Sequence, residues 1–470
     1  MKVEQLFTSC LAEMAYYVES NGEAAIIDPL RETEPYIEMA KADGAKIKYV
    51  FLTHFHADFV SGQVDLAKKT GATIVFGPNA NPNYDIHKGI DGEEFKIGKV
   101  TLKLLHTPGH TMESSSYVLI DEKGKKPYVF TGDCLFIGDV GRPDLAVKSD
   151  VTEADLAGHL FDSLRNKIMT LPDDIIVYPN HGAGSACGKN MSSETFDTLG
   201  NQKNTNYALR ADMTKEEFIK EVTTGLKPAP QYFPNNVRMN KEINTSIDEI
   251  LHRGTTPIDA ATFKEMSERE DILVIDTRSK DEFAEEGTVP GAWYIGVDGN
   301  FAPWVGSLIT NIKQKIIFIA EGGREHEVVT RFSRVGYDNT LGFLRGGMHA
   351  WLAAGFKVDK IGSISATQFA NKLKAGNIVA LDVRKESEFL SEHVVGVENF
   401  PLDFIHSNFA EIKPEKEYFL HCASGYRSLI AASIFQANGI KKVTDVRGGF
   451  KDIKDTGVKL TDYVCPTTLL

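Results

Sequence analysis

Four short segments carry residues that bind first-row metals, and each one follows an apolar run. Thr53-His54-Phe55-His56-Ala57-Asp58-Phe59 comes after the run at 49–52. His106-Thr107-Pro108-Gly109-His110 closes another run. Thr131-Gly132-Asp133 follows 128–130, and Pro179-Asn180-His181 follows 175–178. One histidine after a strand is ordinarily a surface or core residue. Four strand ends that each deliver His or Asp are different, because the strand ends of a packed sheet share a rim where side chains can converge. Imidazole and carboxylate together suit a first-row transition metal.

A second constellation lies near the other end. The run 417–421 leads into Cys422-Ala423-Ser424-Gly425-Tyr426-Arg427-Ser428, and an apolar helical stretch, 429–435, follows at once. A cysteine opening a strand–loop–helix is placed as a nucleophile. Loop N–H groups and the helix N-terminus stabilise a thiolate. Arg427 adds a fixed cation with a forked donor face. A third loop, His181-Gly182-Ala183-Gly184-Ser185-Ala186-Cys187-Gly188-Lys189, is rich in small residues that let backbone approach a ligand. Cys187 either lines a substrate channel and carries sulfur, or is a small residue tolerated in a tight loop. Lys189 is expected to favour its thiolate or to bind an anionic substrate. Cys134 follows Asp133 in an apolar run and reads as packing; Cys10 and Cys465 have no supporting context.

These residues need elements to hold them. Short apolar runs alternate with helical patterns at 64–70 and 155–169, which predicts α/β architecture with layered sheets. From 201 to 244 the chain is polar and punctuated by proline, and reads as a final helix and an extended linker. Beyond it Leu273-Val274-Ile275-Asp276-Thr277-Arg278 returns as Val379-Ala380-Leu381-Asp382-Val383-Arg384, and Leu344-Arg345-Gly346-Gly347 as Val446-Arg447-Gly448-Gly449. The offset of about a hundred residues marks two tandem units of one small βα fold. The expected domains are 1–246, including the linker, then 247–360 and 361–470. The middle unit lacks the chemistry: its matching loop reads Glu321-Gly322-Gly323-Arg324-Glu325-His326, and no cysteine lies between Cys187 and Cys422. It is expected to be a spacer or docking module.

Composition bounds the partners. The 470 residues exceed one core, and Lys+Arg 52 against Asp+Glu 65 gives a net charge of -13. That argues against nucleic-acid binding and for a small substrate in a local pocket. There is no basic-then-apolar leader and no apolar run long enough to span a membrane. Five cysteines, widely spaced, are not a disulfide framework and suit a reducing cytoplasm. Enzymes of this class and size are expected to form symmetric homo-oligomers.

The pattern HxHxD, TPGHT, GD and PNH resembles the metallo-β-lactamase superfamily across the first 245 or so residues. Within it the motifs resemble the persulfide dioxygenases. The resemblance implies an αββα sandwich followed by two rhodanese-like domains with parallel sheets. It also implies one Fe(II) per chain, held by His54, His110 and Asp133 as a two-His, one-carboxylate triad, with zinc as the alternative. His56, Asp58 and His181 would be outer groups or alternative ligands. Dinuclear members such as glyoxalase II carry a further histidine after the aspartate of HxHxD; this chain has Phe59 there, which weakens a second site. The implied reaction uses O2 to turn a thiol persulfide into sulfite and free thiol, the carrier being glutathione, coenzyme A or a similar thiol. The CxxGxRS loop resembles the rhodanese family, and its six-residue span from Cys422 to Arg427 favours sulfur transfer over the longer phosphate loop of dual-specificity phosphatases. Together these imply persulfide oxidation coupled to transfer of sulfane sulfur, giving thiosulfate. A metal-dependent thioesterase of glyoxalase II type with rhodanese appendages is the alternative.

Overall fold

Seven of the eight residues of the strand Glu13–Ser20 are buried, which a strand achieves only when both of its faces are covered. The period of two divides them: Tyr16 and Val18 enter one apolar cluster, Ala15 and Tyr17 another. The computed structural model, which describes residues 1–147, 150–376 and 378–465, accounts for both faces. A six-stranded sheet runs in chain order through Lys2–Thr8, Glu13–Ser20, Glu23–Ile27, Lys46–Phe51, Thr73–Phe76 and His87–Lys88. A second has the order Asp197–Thr198, Ile176–Pro179, Tyr128–Gly132, Ser115–Ile120, Val100–His106, Glu94–Ile97. Met14, Tyr16, Phe51 and Val75 from the first meet Phe95, Leu102, Tyr117 and Phe130 from the second in a shared inner core. The outer face of the first sheet is covered by the helices Glu34–Ala42 and Gln63–Thr70, through Tyr36, Ala40 and Leu66. The outer face of the second packs on Glu153–Ser163 and Lys215–Thr223, through Ala157, Leu160, Phe218 and Val222. The result is the αββα sandwich expected from the sequence.

Contacts divide the chain into two units, Met1–Ile247 with Ser333–Gly336, and Asp248–Phe332 with Tyr337–Leu470. The second holds two five-stranded sheets, wholly parallel. In each, the strands lie in the same spatial order: first, fifth, fourth, second, third. The repeat extends to side chains. Arg278 folds back onto Asp276 at 2.7 Å, and Arg384 onto Asp382 at 2.6 Å. Each ion pair is buried at a strand end and fixes the turn that follows.

Two expectations change. The helix expected over 155–169 is α-helical over Glu153–Ser163, opened by a capping box between Thr152 and Asp155, and then widens into a π-turn at Leu164–Ile168. The expected extended linker is instead largely helical, with helices at Leu199–Thr205, Lys215–Thr223 and Phe233–Asn240. The prolines misled because Pro234 opens a helix, a position where its missing N–H costs nothing.

Candidate metal centre and thiol loop

The HxHxD loop leaves Lys46–Phe51, His110 sits in the turn after Val100–His106, Asp133 follows Tyr128–Gly132, and His181 follows Ile176–Pro179. All are buried. The sheet rim therefore brings together the residues that the sequence picks out. Gly132, at φ +55°, is required here: a Cβ would come within 2.6 Å of Thr53 beside His54.

His54, His110 and Asp133 point their ligand atoms at one place, each within 4.8 Å of the others. His54 Nε2 and His110 Nε2 lie 3.7 and 3.5 Å from Asp133 Oδ2. These separations are too long for hydrogen bonds and suit atoms disposed around an ion. His54 Nε2 and Asp133 Oδ2 have no hydrogen-bond partner although buried, a costly state unless something else binds them. His110 donates Nδ1–H to the Arg142 carbonyl at 2.9 Å, leaving the Nε2 lone pair for a metal. Burial first, then the neighbouring His56, hold the His54 imidazole well below its usual range, so it is neutral. Burial would raise the Asp133 carboxyl, but His181 and His54 override it and hold it ionised. Two imidazoles and one carboxylate fit a divalent first-row ion with positions left open.

Around this triad the partners are polar and fixed. Asp28 accepts from Thr53 N and Thr53 Oγ1, both at 2.8 Å, and from His56 Nε2 at 3.0 Å. Thr53 Oγ1 is 2.9 Å from His54 Nδ1. His181 sits between two carboxylates, with Nδ1 2.8 Å from Asp133 Oδ1 and Nε2 2.8 Å from Asp58 Oδ2. Burial lowers its pKa, yet Asp133 and Asp58 win and push it well above the usual range. His181 is thus an imidazolium in this arrangement.

Asp58, His181 and Cys187 form a second convergent group, again within 4.8 Å. Two observations disfavour it as a metal site. His181 is committed to two carboxylates, and Phe59, fully buried, stacks on His56 with ring centroids 4.3 Å apart. Cys187 is buried, and burial followed by Asp58 and Asp133 raises its thiol well above the usual range. The expectation for Lys189 needs revision. Its ammonium donates to the carbonyls of Glu221 and Thr224 at the end of the helix Lys215–Thr223, where it meets the negative end of the helix dipole. What shapes the Cys187 loop is Asp139, which takes Lys189 N and Asn190 N, each at 2.6 Å. Arg142 joins this loop to the metal site: its N–H donates to Cys187 O at 3.0 Å, and its guanidinium reaches Asp144, Ala186 O and Lys227 O.

One residue escaped the sequence reading. Asn240 ends the helix Phe233–Asn240 and donates to the carbonyls of His56 and Phe59, both at 2.8 Å, while its Oδ1 takes Ser61 N at 2.9 Å. It clamps the HxHxD loop from 184 residues away. Asn240→Ala should cost about 2–3 kcal/mol, because it leaves buried carbonyls without donors. Chemical denaturation would measure this, and an unchanged midpoint would refute the clamp.

In the second unit Cys422 closes the strand Tyr418–His421 and is 1% exposed. Its sulfur takes Gly425 N at 3.2 Å and lies 3.6 Å from Ser428 Oγ. Arg427 makes a two-point ion pair with Glu388 at 2.6 and 2.8 Å. Ala423 and Ser424 complete the turn before the helix Tyr426–Ala437. Tyr426 leaves the loop altogether and donates to Gly296 O of the middle domain at 2.8 Å. A Cβ on Gly299 would lie 2.1 Å from its ring. The middle domain thus supports the cysteine loop. Its own matching loop is filled by Glu321, which accepts Ser279 N at 3.1 Å, and by Arg324, paired with Asp298 and Glu327. Gly299→Ala should dislodge Tyr426 and change the alkylation rate of Cys422 by roughly tenfold; a rate matching the parent protein would show that Tyr426 is only packing.

Fold and rim together define the class: a layered α/β protein with a metal-ligand cluster, joined to a tandem pair of parallel-sheet domains, one bearing a cysteine loop. Residues 9–181 match the Metallo-beta-lactamase superfamily, and 259–354 and 365–456 each match the Rhodanese-like domain. The mouse (Mus musculus) protein named persulfide dioxygenase ETHE1, mitochondrial, is 31% identical over 222 residues, 46% of this chain and 79% of that one. The Schizosaccharomyces pombe probable hydroxyacylglutathione hydrolase glo2 is 34% identical over 178 residues, 37% of this chain and 64% of that one. A crystal structure of a metallo-beta-lactamase from Staphylococcus aureus subsp. aureus COL superposes with TM-score 0.62 at 30% identity, covering 73% of this chain and 98% of that one. The chain belongs to the metallo-beta-lactamase superfamily, fused to two rhodanese-like domains.

Proposed function

We propose that the N-terminal unit oxidises a low-molecular-weight thiol persulfide with O2 at one Fe(II), and that Cys422 transfers sulfane sulfur. The overall balance is R–S–S⁻ + O2 + H2O giving R–SH + SO3²⁻ + H⁺. The carrying observation is the mononuclear ligand set: His54, His110 and Asp133 converge, and Phe59 fills the position of the histidine that a dinuclear hydrolase would use. The similarity to proteins named persulfide dioxygenase supports the same reading.

Bound Fe(II) would supply the redox chemistry and open positions for O2 and the sulfur anion. The chain supplies the rest. His54, His110 and Asp133 fix the ion. The imidazolium of His181 places positive charge beside an anionic substrate and product. Phe59 and Phe136, whose ring centroids lie 6.5 and 6.3 Å from that of His181, keep the site apolar and short of water. Cys187, held as a thiol, lines the same space.

In the second unit a Cys422 persulfide would pass its outer sulfur to sulfite: Cys–S–S⁻ + SO3²⁻ gives Cys–S⁻ + S2O3²⁻. The reaction suits a reducing compartment, and a cytosolic location is part of the proposal. Hydroxyacylglutathione hydrolases match at similar identity, so the test must separate oxidation from thioester hydrolysis. Protein purified without oxygen should hold one iron per chain and consume O2 with glutathione persulfide, but leave acyl-glutathione thioesters intact. A zinc pair with brisk thioester cleavage would overturn the reading. Phe59→His should raise metal content from one toward two per chain, measured by elemental analysis; an unchanged ratio would deny Phe59 its role.

A further inference from the structure

The guanidinium of Arg427, expected to act as a cation with a forked donor face, is spent inside the protein. Its Nη1 donates to Glu388 Oε2 at 2.6 Å and its Nη2 to Glu388 Oε1 at 2.8 Å. This two-point geometry is the one by which arginine holds oxyanions. Both groups are ionised. Burial would raise the Glu388 carboxyl, but Arg427 overrides it and holds the group below its usual range. The two side chains are 16% and 35% exposed, so water screens their attraction only in part.

The tandem repeat shows why this carboxylate is available. In the middle domain the matching residue, Glu282, takes the hydroxyl and the N–H of Ser279, at 2.8 and 3.3 Å, and closes the start of the helix Lys280–Glu286. In the last domain Lys385 stands in place of Ser279 and brings no hydroxyl. Glu388 keeps the Lys385 N–H, at 3.2 Å, and turns its oxygens to Arg427. Arg384, at the neighbouring strand end, is committed to Asp382. Arg447 and Lys451 are exposed, where the turn after Val443–Val446 meets the cysteine loop, so salt screens them. The loop around Cys422 therefore offers backbone N–H groups, while the charge of its arginine is cancelled.

Sulfur donors differ in the charge that they bring to this loop. Loading from a thiol persulfide, Cys–S⁻ + R–S–SH giving Cys–S–SH + R–S⁻, brings at most one negative charge at the reacting end. Loading from thiosulfate, Cys–S⁻ + S2O3²⁻ giving Cys–S–S⁻ + SO3²⁻, brings two. A bare arginine favours the dianion; a masked one does not. We propose that Glu388 is a specificity-determining residue: by occupying Arg427 it makes the loop a weak site for inorganic sulfur dianions and leaves thiol persulfides as the favoured donors. This deepens the reading of Cys422 as a sulfur carrier and rests on it. Sulfite as acceptor then depends on a high local concentration, which a source tethered in the same chain supplies.

Two alkylating agents of similar size test the charge without turnover: iodoacetate, an anion, and iodoacetamide, which is neutral. Their rates at Cys422 in the full chain, read by mass spectrometry of its peptide, give a ratio from which thiol ionisation cancels. Glu388→Gln keeps the size and an oxygen for Arg427 but removes the charge. The ratio of iodoacetate to iodoacetamide rates should rise roughly tenfold, and the KM for thiosulfate as donor should fall by a similar factor. An unchanged ratio, including a rise shared by both agents, would overturn the proposal. So would a raised ratio with an unchanged KM for thiosulfate. Should Glu388→Gln not fold, the parent protein is compared with N-acetylcysteine: a ratio no higher than that of the free thiol supports the masked loop, and a tenfold excess shows Arg427 free and sinks it. If no donor loads Cys422 at all, the sulfur-carrier reading fails, while the alkylation ratio still decides whether Glu388 masks the loop.

Discussion

Asp133→Ala should strip the first unit of its metal and lower persulfide-dependent O2 consumption by about a thousandfold or more. Asp133 is the one anionic ligand of the triad, so its loss removes both a ligand and the charge that offsets the ion. It also releases His181, which loses one of its two carboxylate partners. An imidazolium left beside two imidazoles would repel a cation further. The internal control is the second unit, where alkylation of Cys422 and its sulfur-transfer rate should not change. Elemental analysis of anaerobic protein and an oxygen electrode read the two halves of the prediction. Full metal occupancy with undiminished O2 uptake would remove Asp133 from the site.

Cys422→Ser has the second large effect. The oxygen is smaller than the sulfur but also accepts hydrogen bonds, so Gly425 N and Ser428 keep an acceptor and the loop should hold its shape. A hydroxyl cannot carry a sulfane sulfur as a thiol does, so transfer should fall by about a thousandfold. O2 consumption should persist at the parent rate. The products divide the possibilities: the parent should release thiosulfate from labelled persulfide, the variant sulfite. A tether raises the effective concentration of the second site to about the mM range, which would favour capture of sulfite before it escapes. Equal thiosulfate from both proteins would end the idea of coupled sites, though not of two separate ones.

The ligand cluster was legible because its signals are local. Each ligand sits just past a strand, and strand ends in a sandwich share a rim, so four short patterns fixed one location. The repeat was legible for a similar reason: Asp276 with Arg278 and Asp382 with Arg384 each form their ion pair within three residues. What stayed hidden depends on tertiary proximity. Asn240 is a lone amide in a polar stretch, and nothing near it in sequence says that it holds the loop carrying His56. Lys189 misled by being two residues from Cys187, when a long flexible stem let it reach a helix end instead.

The Asp28–Thr53–His54 chain has a directional consequence. A carboxylate can only receive, so Thr53 must spend its proton on Asp28, and its oxygen must then receive from His54. That fixes the tautomer: hydrogen on Nδ1, bare lone pair on Nε2. His54 therefore waits for an ion with its coordinating atom already unprotonated, and loading at this ligand releases no hydrogen ion.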